Sequence, residues 1–212
     1  MAIDPPEGFS QRPLVLHEEP EGARWLRLYR RRFADPLGFG LAPSRFSPPG
    51  DASEIYGVVY LGSSLKVAVA ETMVRDRGDG RLGDLPIELA ELETWACAEI
   101  EVVRPLRLAD LRGDAPLRMG VPSDVAHASG WGLSQTWSAA LHGHEQNPDG
   151  LIYLSRFTGE ANLAVFERAA QARARARRSL ARPESGAGGD DPAPGPAHRL
   201  TQRKARAGSR AG

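Results

Sequence analysis

Short apolar runs alternate with glycine- and proline-rich breaks along most of the chain, and one such run is followed by an unusual helix. Strand-forming residues at 58–61 end at the Gly-Ser-Ser sequence 62–64, where either serine is suited to cap a helix. In that helix Val67, Glu71 and Val74 fall on one side of the helical wheel. The pattern therefore predicts a strand, a turn and a helix whose apolar face includes a carboxylate.

The rest of the chain predicts a mixture of strands and helices. Leu133, Trp137 and Leu141 recur at i, i+4 and i+8, which is typical of an amphipathic helix. The predicted elements are, in order, a strand or short helix at 25–33, strands within 93–111, a helix at 131–144, a strand at 151–157, and at 162–182 either a strand followed by a helix or one helix.

Because strands and helices do not alternate regularly, the order of elements favours an α+β fold in one compact domain. Residues 1–22 predict an irregular lead-in and 23–168 the domain itself. An Arg/Ala-rich helical extension is expected at 169–182, and 183–212, dominated by Gly, Ala, Pro and Arg, predicts a disordered tail. No internal repeat and no glycine-rich phosphate loop of standard spacing is present in the sequence.

The composition indicates which partners and which cellular compartment are compatible with the protein. The 212 residues have a net charge of zero, but residues 168–212 carry 11 Lys plus Arg against 3 Asp plus Glu, so the preceding part is acidic. The basic end could contact nucleic acid by charge alone, although an inert tail is the commoner outcome. A single cysteine, Cys97, excludes an internal disulfide, and the sequence has no apolar run of about 18 residues and no signal peptide. We expect a cytoplasmic protein without a membrane segment.

Four polar residues do not fit a purely structural core. Glu71 shares an apolar helix face, Tyr60 ends the preceding strand, Arg45 lies in a rigid loop, and Arg27 is flanked by large apolar residues. One carboxylate with two arginines suggests a cleft for an anionic ligand that develops positive charge during reaction. Each residue also has an ordinary interpretation: an exposed helix rim for the carboxylate, ion pairs for the arginines, and a core position for the tyrosine.

The histidines carry a weaker signal. His142 and His144 lie beside Glu145 at a spacing that can bind a metal. Because no other Cys or His cluster lies near them in sequence, we expect a solvated loop and no metal site.

Several segments together resemble the RES-domain family, the toxins of a class of bacterial toxin–antitoxin pairs. The resemblance is carried by "LRLYR", "DPLGFGLAPSRFSPPG", "YGVVYLGSSLKVAVAE" and "PDGLIYLSRFTGEANLAVF", and it spans about residues 25–167. Of the Arg, Glu and Ser that name the family, Arg27 matches the first, with Arg30 and Arg31 as alternatives in register. Glu71 matches the second and Ser155 the third.

The resemblance also implies a fold, a substrate and further site residues. The family's fold is similar to that of ADP-ribosyltransferases and its substrate is NAD⁺, with no metal. Arg45 matches the arginine of the family's "GRF/GRW" element, although Ser44 replaces its glycine, and Ser134 is a secondary candidate. By this resemblance Glu71, Tyr60 and Arg27 are expected to take part in catalysis. Arg27, Arg45, Tyr60, Ser155 and Ser134 are expected to bind NAD⁺.

The resemblance leaves more than one activity open. The first is cleavage of the nicotinamide–ribose bond with transfer of ADP-ribose to water or phosphate, which would deplete NAD⁺. The second is mono-ADP-ribosylation of a host protein, and the third is a catalytically inactive binding module, which the intact residue set disfavours. The resemblance further implies a cognate antitoxin that blocks the active site, with nucleic acid contacted only through that antitoxin.

Overall fold

A computed structural model describes residues 4–50, 52, 55–75, 77, 84–128 and 130–179. The strands of this part are β1 Leu16–Glu19, β2 Arg24–Arg30, β3 Val58–Gly62, β4 Trp95–Val102, β5 Leu106–Asp110, β6 Gly150–Leu154, β7 Ala161–Phe166 and β8 Ala174–Ser179. Its α-helices are α1 Leu65–Val69, α2 Leu89–Glu93, α3 Ala115–Met119, α4 Gly132–His142 and α5 Glu167–Arg173. The fold is α+β, as predicted, and in these residues no helix is long and apolar enough to cross a membrane.

The strands form a mixed sheet in the order β1-β5-β6-β7-β3-β2-β4-β8. Only β5 and β6 run parallel, and the other neighbouring strands are antiparallel. The contact between β2 and β3 consists of the single pair Leu26↔Gly62. The sheet therefore consists of a five-stranded part and a three-stranded part that are joined at one point and separate beyond it.

Both faces of the central strands are buried, which explains why their sequences are apolar without clear alternation. Val58 and Phe166 face a core that includes Trp137 and Leu141 of α4, the helix that the sequence predicted. Val59 faces a second core on the other side of the sheet, because successive residues of a strand point to opposite faces. The sheet therefore separates two cores, one on each face.

Two predicted boundaries need correction. The lead-in 1–22 contains β1, which pairs with β5 at the sheet edge, and buried Phe9 and Leu14 anchor it in the core. The extension 169–182 is helical only in its first part, because β8 then pairs with β4. The segment 162–182 thus begins as a strand followed by a helix, one of the two forms predicted. The tail predicted at 183–212 lies outside the described residues.

Candidate functional site

A cleft of about 360 Å³ opens where β2 and β3 separate. Both of these strands line it, together with residues from the helix after β3, from the loop around residue 45 and from the strands β6 and β7. Of the predicted site residues, Arg27, Arg45, Tyr60 and Glu71 line this cleft. The structure therefore brings together the four residues that the sequence pattern selected from separate segments.

Glu71 lies on a distorted part of the helix that follows β3. Ser64 caps the helix by accepting a hydrogen bond from the Val67 N–H at 3.3 Å, and α1 continues as a π-helical turn over Ala70–Val74. Such π-helical turns are frequent at functional sites because they redirect side chains. The half-buried Glu71 makes no hydrogen bond or ion pair with any other described residue. Its carboxylate is therefore available to a ligand in the cleft.

Tyr60 contributes its ring to the cleft and its hydroxyl to the neighbouring loop. The hydroxyl oxygen accepts a hydrogen bond from the Phe46 N–H at 2.9 Å and also hydrogen bonds with Ser44 Oγ at 2.9 Å. Burial raises the pKa of this hydroxyl, so it stays neutral. Tyr60 therefore holds the backbone of Phe46 and the side chain of Ser44, the two residues that flank Arg45.

Arg45 is a buried part of the cleft wall, with only 8% of its surface exposed. Its Nη1 donates to the Ala128 carbonyl at 2.7 Å and, more weakly, to Ser134 Oγ at 3.5 Å. Burial lowers the pKa of the guanidinium, while the nearby Tyr153 and Glu71 oppose that shift. The two hydrogen bonds orient the Arg45 guanidinium. Because Glu71 lines the same cleft, one ligand can contact both side chains.

The secondary candidate Ser134 has a supporting position. It is fully buried at the start of α4, where its hydroxyl donates to the Val125 carbonyl at 2.6 Å. Within the described part of the chain Ser134 does not line the cleft. Its position therefore favours a role in fixing Arg45 over a direct contact with a ligand.

Arg27 is the arginine of its segment that reaches the cleft. It donates hydrogen bonds to the carbonyls of Pro36 and Gly38, which follow β2, and burial lowers its pKa to about 10. Arg30 instead stacks on the Trp95 ring at 3.8 Å. Arg30 and the neighbouring Arg31 line a separate surface beside Thr94. The geometry thus favours Arg27 among the three alternatives in register.

Ser155 is the predicted site residue that the structure places elsewhere. It follows the end of β6, is buried, and accepts a hydrogen bond from the Phe157 N–H through its hydroxyl at 3.2 Å. Ser155 is not among the described residues that line the cleft, and its hydroxyl oxygen is used in the turn between β6 and β7. Tyr153, two residues earlier, lines the cleft instead.

Several other residues that line the cleft were not selected from the sequence, among them Tyr153, Arg75 and Trp131. Tyr153 is buried, and its burial together with the Glu71 carboxylate raises its pKa well above the usual value. Arg75 lies one turn after Glu71, and its guanidinium carbon is 5.0 Å from the centroid of the Trp131 ring. The period-2 spacing of Tyr153 from Ser155, and the i+4 spacing of Arg75 from Glu71, are the signals that could have identified two of them.

The histidine prediction was wrong about the environment. His142 and His144 are buried, at 5% and 3% exposure, and not in a solvated loop. The His142 ring stacks on Tyr56 with centroids 4.0 Å apart, while Arg168 donates to its Nε2 at 2.8 Å. His144 packs edge-on against Phe9. Residues distant in sequence create this aromatic environment, which local composition does not reveal.

The cleft has the electrostatic character of an anion site with one carboxylate. Arg75 and Arg156 both lie near enough to Arg45 to disfavour its charged form, so positive charge is concentrated here. In the part of the chain that the structure describes, no group of three or more His, Cys, Asp or Glu side chains could hold a metal ion. Such an arrangement can bind a phosphate-containing ligand and stabilise a cation that develops next to Glu71.

Known proteins of similar sequence and structure exist. The family model of the RES domain matches residues 21–186. A curated protein of Sinorhizobium fredii (strain NBRC 101917 / NGR234), the "Probable toxin y4kH", is 50% identical over 96 residues, which are 45% of this chain and 76% of that protein. In the crystal structure of the M. tuberculosis MbcT-MbcA toxin-antitoxin complex, one chain is similar with a TM-score of 0.59 and 19% identity, covering 82% of this chain and 92% of that one. This last similarity shows a shared fold.

Proposed function

Because the chain belongs to the RES domain family, we propose that it is the toxin of a bacterial toxin–antitoxin pair and that it consumes NAD⁺. In this proposal the protein cleaves the nicotinamide–ribose bond and passes ADP-ribose to water or phosphate. The observation that carries the proposal is the Glu71 carboxylate, which is half-buried and unpaired within the described part of the chain and lies in a cleft with Arg45.

Glu71 is assigned to the developing charge of the reaction. When the bond to nicotinamide breaks, the ribose becomes an oxocarbenium-like cation, and an anionic carboxylate next to it lowers the energy of that state. A carboxylate already paired with a protein cation would have to give up that partner first. The absence of such a partner among the described residues means that Glu71 needs no rearrangement before it acts.

The arginines are assigned to the diphosphate of NAD⁺. Arg45 is held by the Ala128 carbonyl through Nη1, and a planar guanidinium presents its remaining donors in a geometry that matches phosphate oxygens. Arg27 fixes the carbonyls of the 36–38 loop beside the cleft and is proposed to act at the same diphosphate and in catalysis.

The tyrosines are assigned to the nicotinamide and its ribose. Both rings line the cleft, and burial keeps both hydroxyls neutral by raising their pKa values. A cavity of about 360 Å³ is within the range of sites that enclose small ligands. Tyr60 and Tyr153 would therefore form an apolar wall that excludes water from the breaking bond.

A cognate antitoxin is part of the proposal. The cleft is lined by arginines, although residues 1–167 of the chain are acidic overall. A segment with acidic side chains or a C-terminal carboxylate would therefore be attracted to the cleft and would compete with the diphosphate. We place this encounter in the cytoplasm, where NAD⁺ is available.

The test of the proposed function is the identity of the products. Purified protein is incubated with NAD⁺, with and without inorganic phosphate, and nicotinamide and the adenine-containing product are separated by chromatography. We expect many turnovers, with free ADP-ribose or its phosphorylated form as the second product. If the protein alone does not release nicotinamide, and radioactive NAD⁺ labels one discrete protein in a lysate, the activity is mono-ADP-ribosylation of a host protein and the depletion proposal is wrong.

A further inference from the structure

One buried polar group of the cleft has no role in the function proposed above. Asn162 of β7 is 3% exposed, lines the cleft, and its Nδ2 has no hydrogen-bond partner among the described residues. An unsatisfied buried donor is destabilising, so native proteins rarely keep one without a reason. Other buried side-chain atoms in the described part also lack a hydrogen-bond partner. Among them, Asn162 Nδ2 is the atom whose residue lines the cleft.

The position of Asn162 in the sheet directs its side chain towards the reacting end of the cleft. In the antiparallel pairs it is opposite Tyr153 on β6 and Gly62 on β3, and directly opposed residues point to the same face. Tyr60 shares this face, because its partner Ala164 is two residues after Asn162. Asn162 therefore lies on the sheet face from which both cleft tyrosines project.

Gly62, the residue opposite Asn162 on β3, lets α1 pack closely against the strand. A Cβ at residue 62 would lie 2.9 Å from the Ala68 backbone nitrogen, so packing of α1 on β3 requires glycine at this position. The residue opposite Asn162 consequently has no side chain that could cover the amide. Asn162 and Gly62 both line the cleft, and Gly62 places no side chain between the amide and a ligand bound there.

We propose that Asn162 is a substrate-binding residue whose Nδ2 donates a hydrogen bond to a neutral oxygen of the nicotinamide–ribose half of NAD⁺, a ribose hydroxyl or the carboxamide oxygen. The inference rests on the proposed function. Its neighbour Tyr153 is close enough to Glu71 to be influenced by the carboxylate, which places Asn162 near the assigned ribose. An uncharged amide suits a neutral oxygen, whereas the diphosphate is assigned to Arg45.

The experiment measures binding in a variant that is expected to cleave NAD⁺ at least tenfold more slowly than the wild type. Isothermal titration calorimetry compares NAD⁺ and ADP binding to Glu71→Gln protein with and without Asn162→Ala. We expect NAD⁺ affinity to fall about threefold to tenfold, as for one neutral hydrogen bond, while ADP affinity is unchanged. Gln11→Ala, which removes an exposed amide far from the cleft lining, is the matched control and leaves both affinities unchanged.

Two further measurements separate binding from folding. Because the Asn162 donor is unpaired, Asn162→Ala is expected to keep the melting temperature of the parent protein. Asn162→Asp keeps the size but replaces the donor by an acceptor, so it should weaken NAD⁺ binding at least as much as alanine does, even if Asn162→Ala folds poorly.

Equal NAD⁺ affinity with and without these changes would overturn the inference. An equal loss of NAD⁺ and ADP affinity would also overturn it, because the contact would then be to the diphosphate half. If the Glu71→Gln protein binds neither nucleotide while remaining folded, the proposed function itself fails, and this inference fails with it.

Discussion

The two cleft tyrosines differ in how their hydroxyl groups are used, and this difference predicts that the same substitution destabilises the protein at Tyr60 but not at Tyr153. In Tyr60→Phe the Phe46 N–H loses its acceptor at 2.9 Å and Ser44 Oγ loses a partner at the same distance. Phe46 is fully buried, so its N–H cannot turn to water. In Tyr153→Phe, by contrast, no hydrogen bond between described residues is lost.

The magnitude follows from these contacts. A buried donor left unsatisfied costs about 1–3 kcal/mol, while half-buried Ser44 can recover part of its bond from solvent. We therefore expect Tyr60→Phe to lower the free energy of unfolding by about 2 kcal/mol. With an m value of about 2 kcal/mol/M in urea, the midpoint of unfolding falls by about 1 M. Tyr153→Phe is expected to leave the midpoint nearly unchanged.

The assay is urea unfolding of the wild type and both variants, monitored by circular dichroism, together with nicotinamide release at saturating NAD⁺. Tyr60→Phe should lose stability, and some activity through the loop that carries Arg45. Tyr153→Phe should lose activity only if its hydroxyl contacts the substrate. Equal midpoints for Tyr60→Phe and Tyr153→Phe, with unchanged m values, would refute the assignment of Tyr60 as the residue that fixes this loop.

Three further predictions concern single side chains. Arg45→Ala should weaken ADP-ribose binding about tenfold to a hundredfold in calorimetry, as for the loss of a charged hydrogen-bond donor. Arg31→Ala, which lies outside the cleft lining, is the control and should bind as the wild type does. Equal affinities of the Arg45→Ala and wild-type proteins would exclude Arg45 from the anion site. Arg27→Lys should raise the KM for NAD⁺, because a compact ammonium lacks the forked geometry by which Nη1 and Nη2 reach the two loop carbonyls. An unchanged KM would contradict this. Burial raises the pKa of Cys97, so a thiol reagent should label it at neutral pH only after unfolding; rapid labelling of folded protein would show that the thiol is accessible.

The sequence alone predicted those features that depend on residues close together in the chain. Ser64 caps the helix after β3 as its position before an apolar run indicates, and α4 follows the spacing of Trp137 and Leu141. Glu71 was identifiable because a carboxylate among apolar positions conflicts with an ordinary core. These features depend on residues within one or two turns, which the sequence displays directly.

Other features depend on distant partners and could not be predicted. The strand β1 is four residues long and exists because β5, about 90 residues later, provides its hydrogen bonds. His142 is buried because Tyr56 and Arg168 cover it. Ser155 lies in the turn after β6, where its hydroxyl accepts a hydrogen bond from the Phe157 N–H, and its assignment to the substrate stays a prediction.

The central claim is that the Glu71 carboxylate promotes cleavage of the nicotinamide–ribose bond, and the rate of nicotinamide release by Glu71→Gln protein tests it most directly. This change keeps the shape of the side chain and removes its charge, so folding should be unaffected and the rate should fall at least tenfold, about 1.4 kcal/mol of barrier. Glu18→Gln, an exposed glutamate on β1, is the control and should keep the wild-type rate. A stably folded Glu71→Gln protein that releases nicotinamide at the wild-type rate would contradict the account.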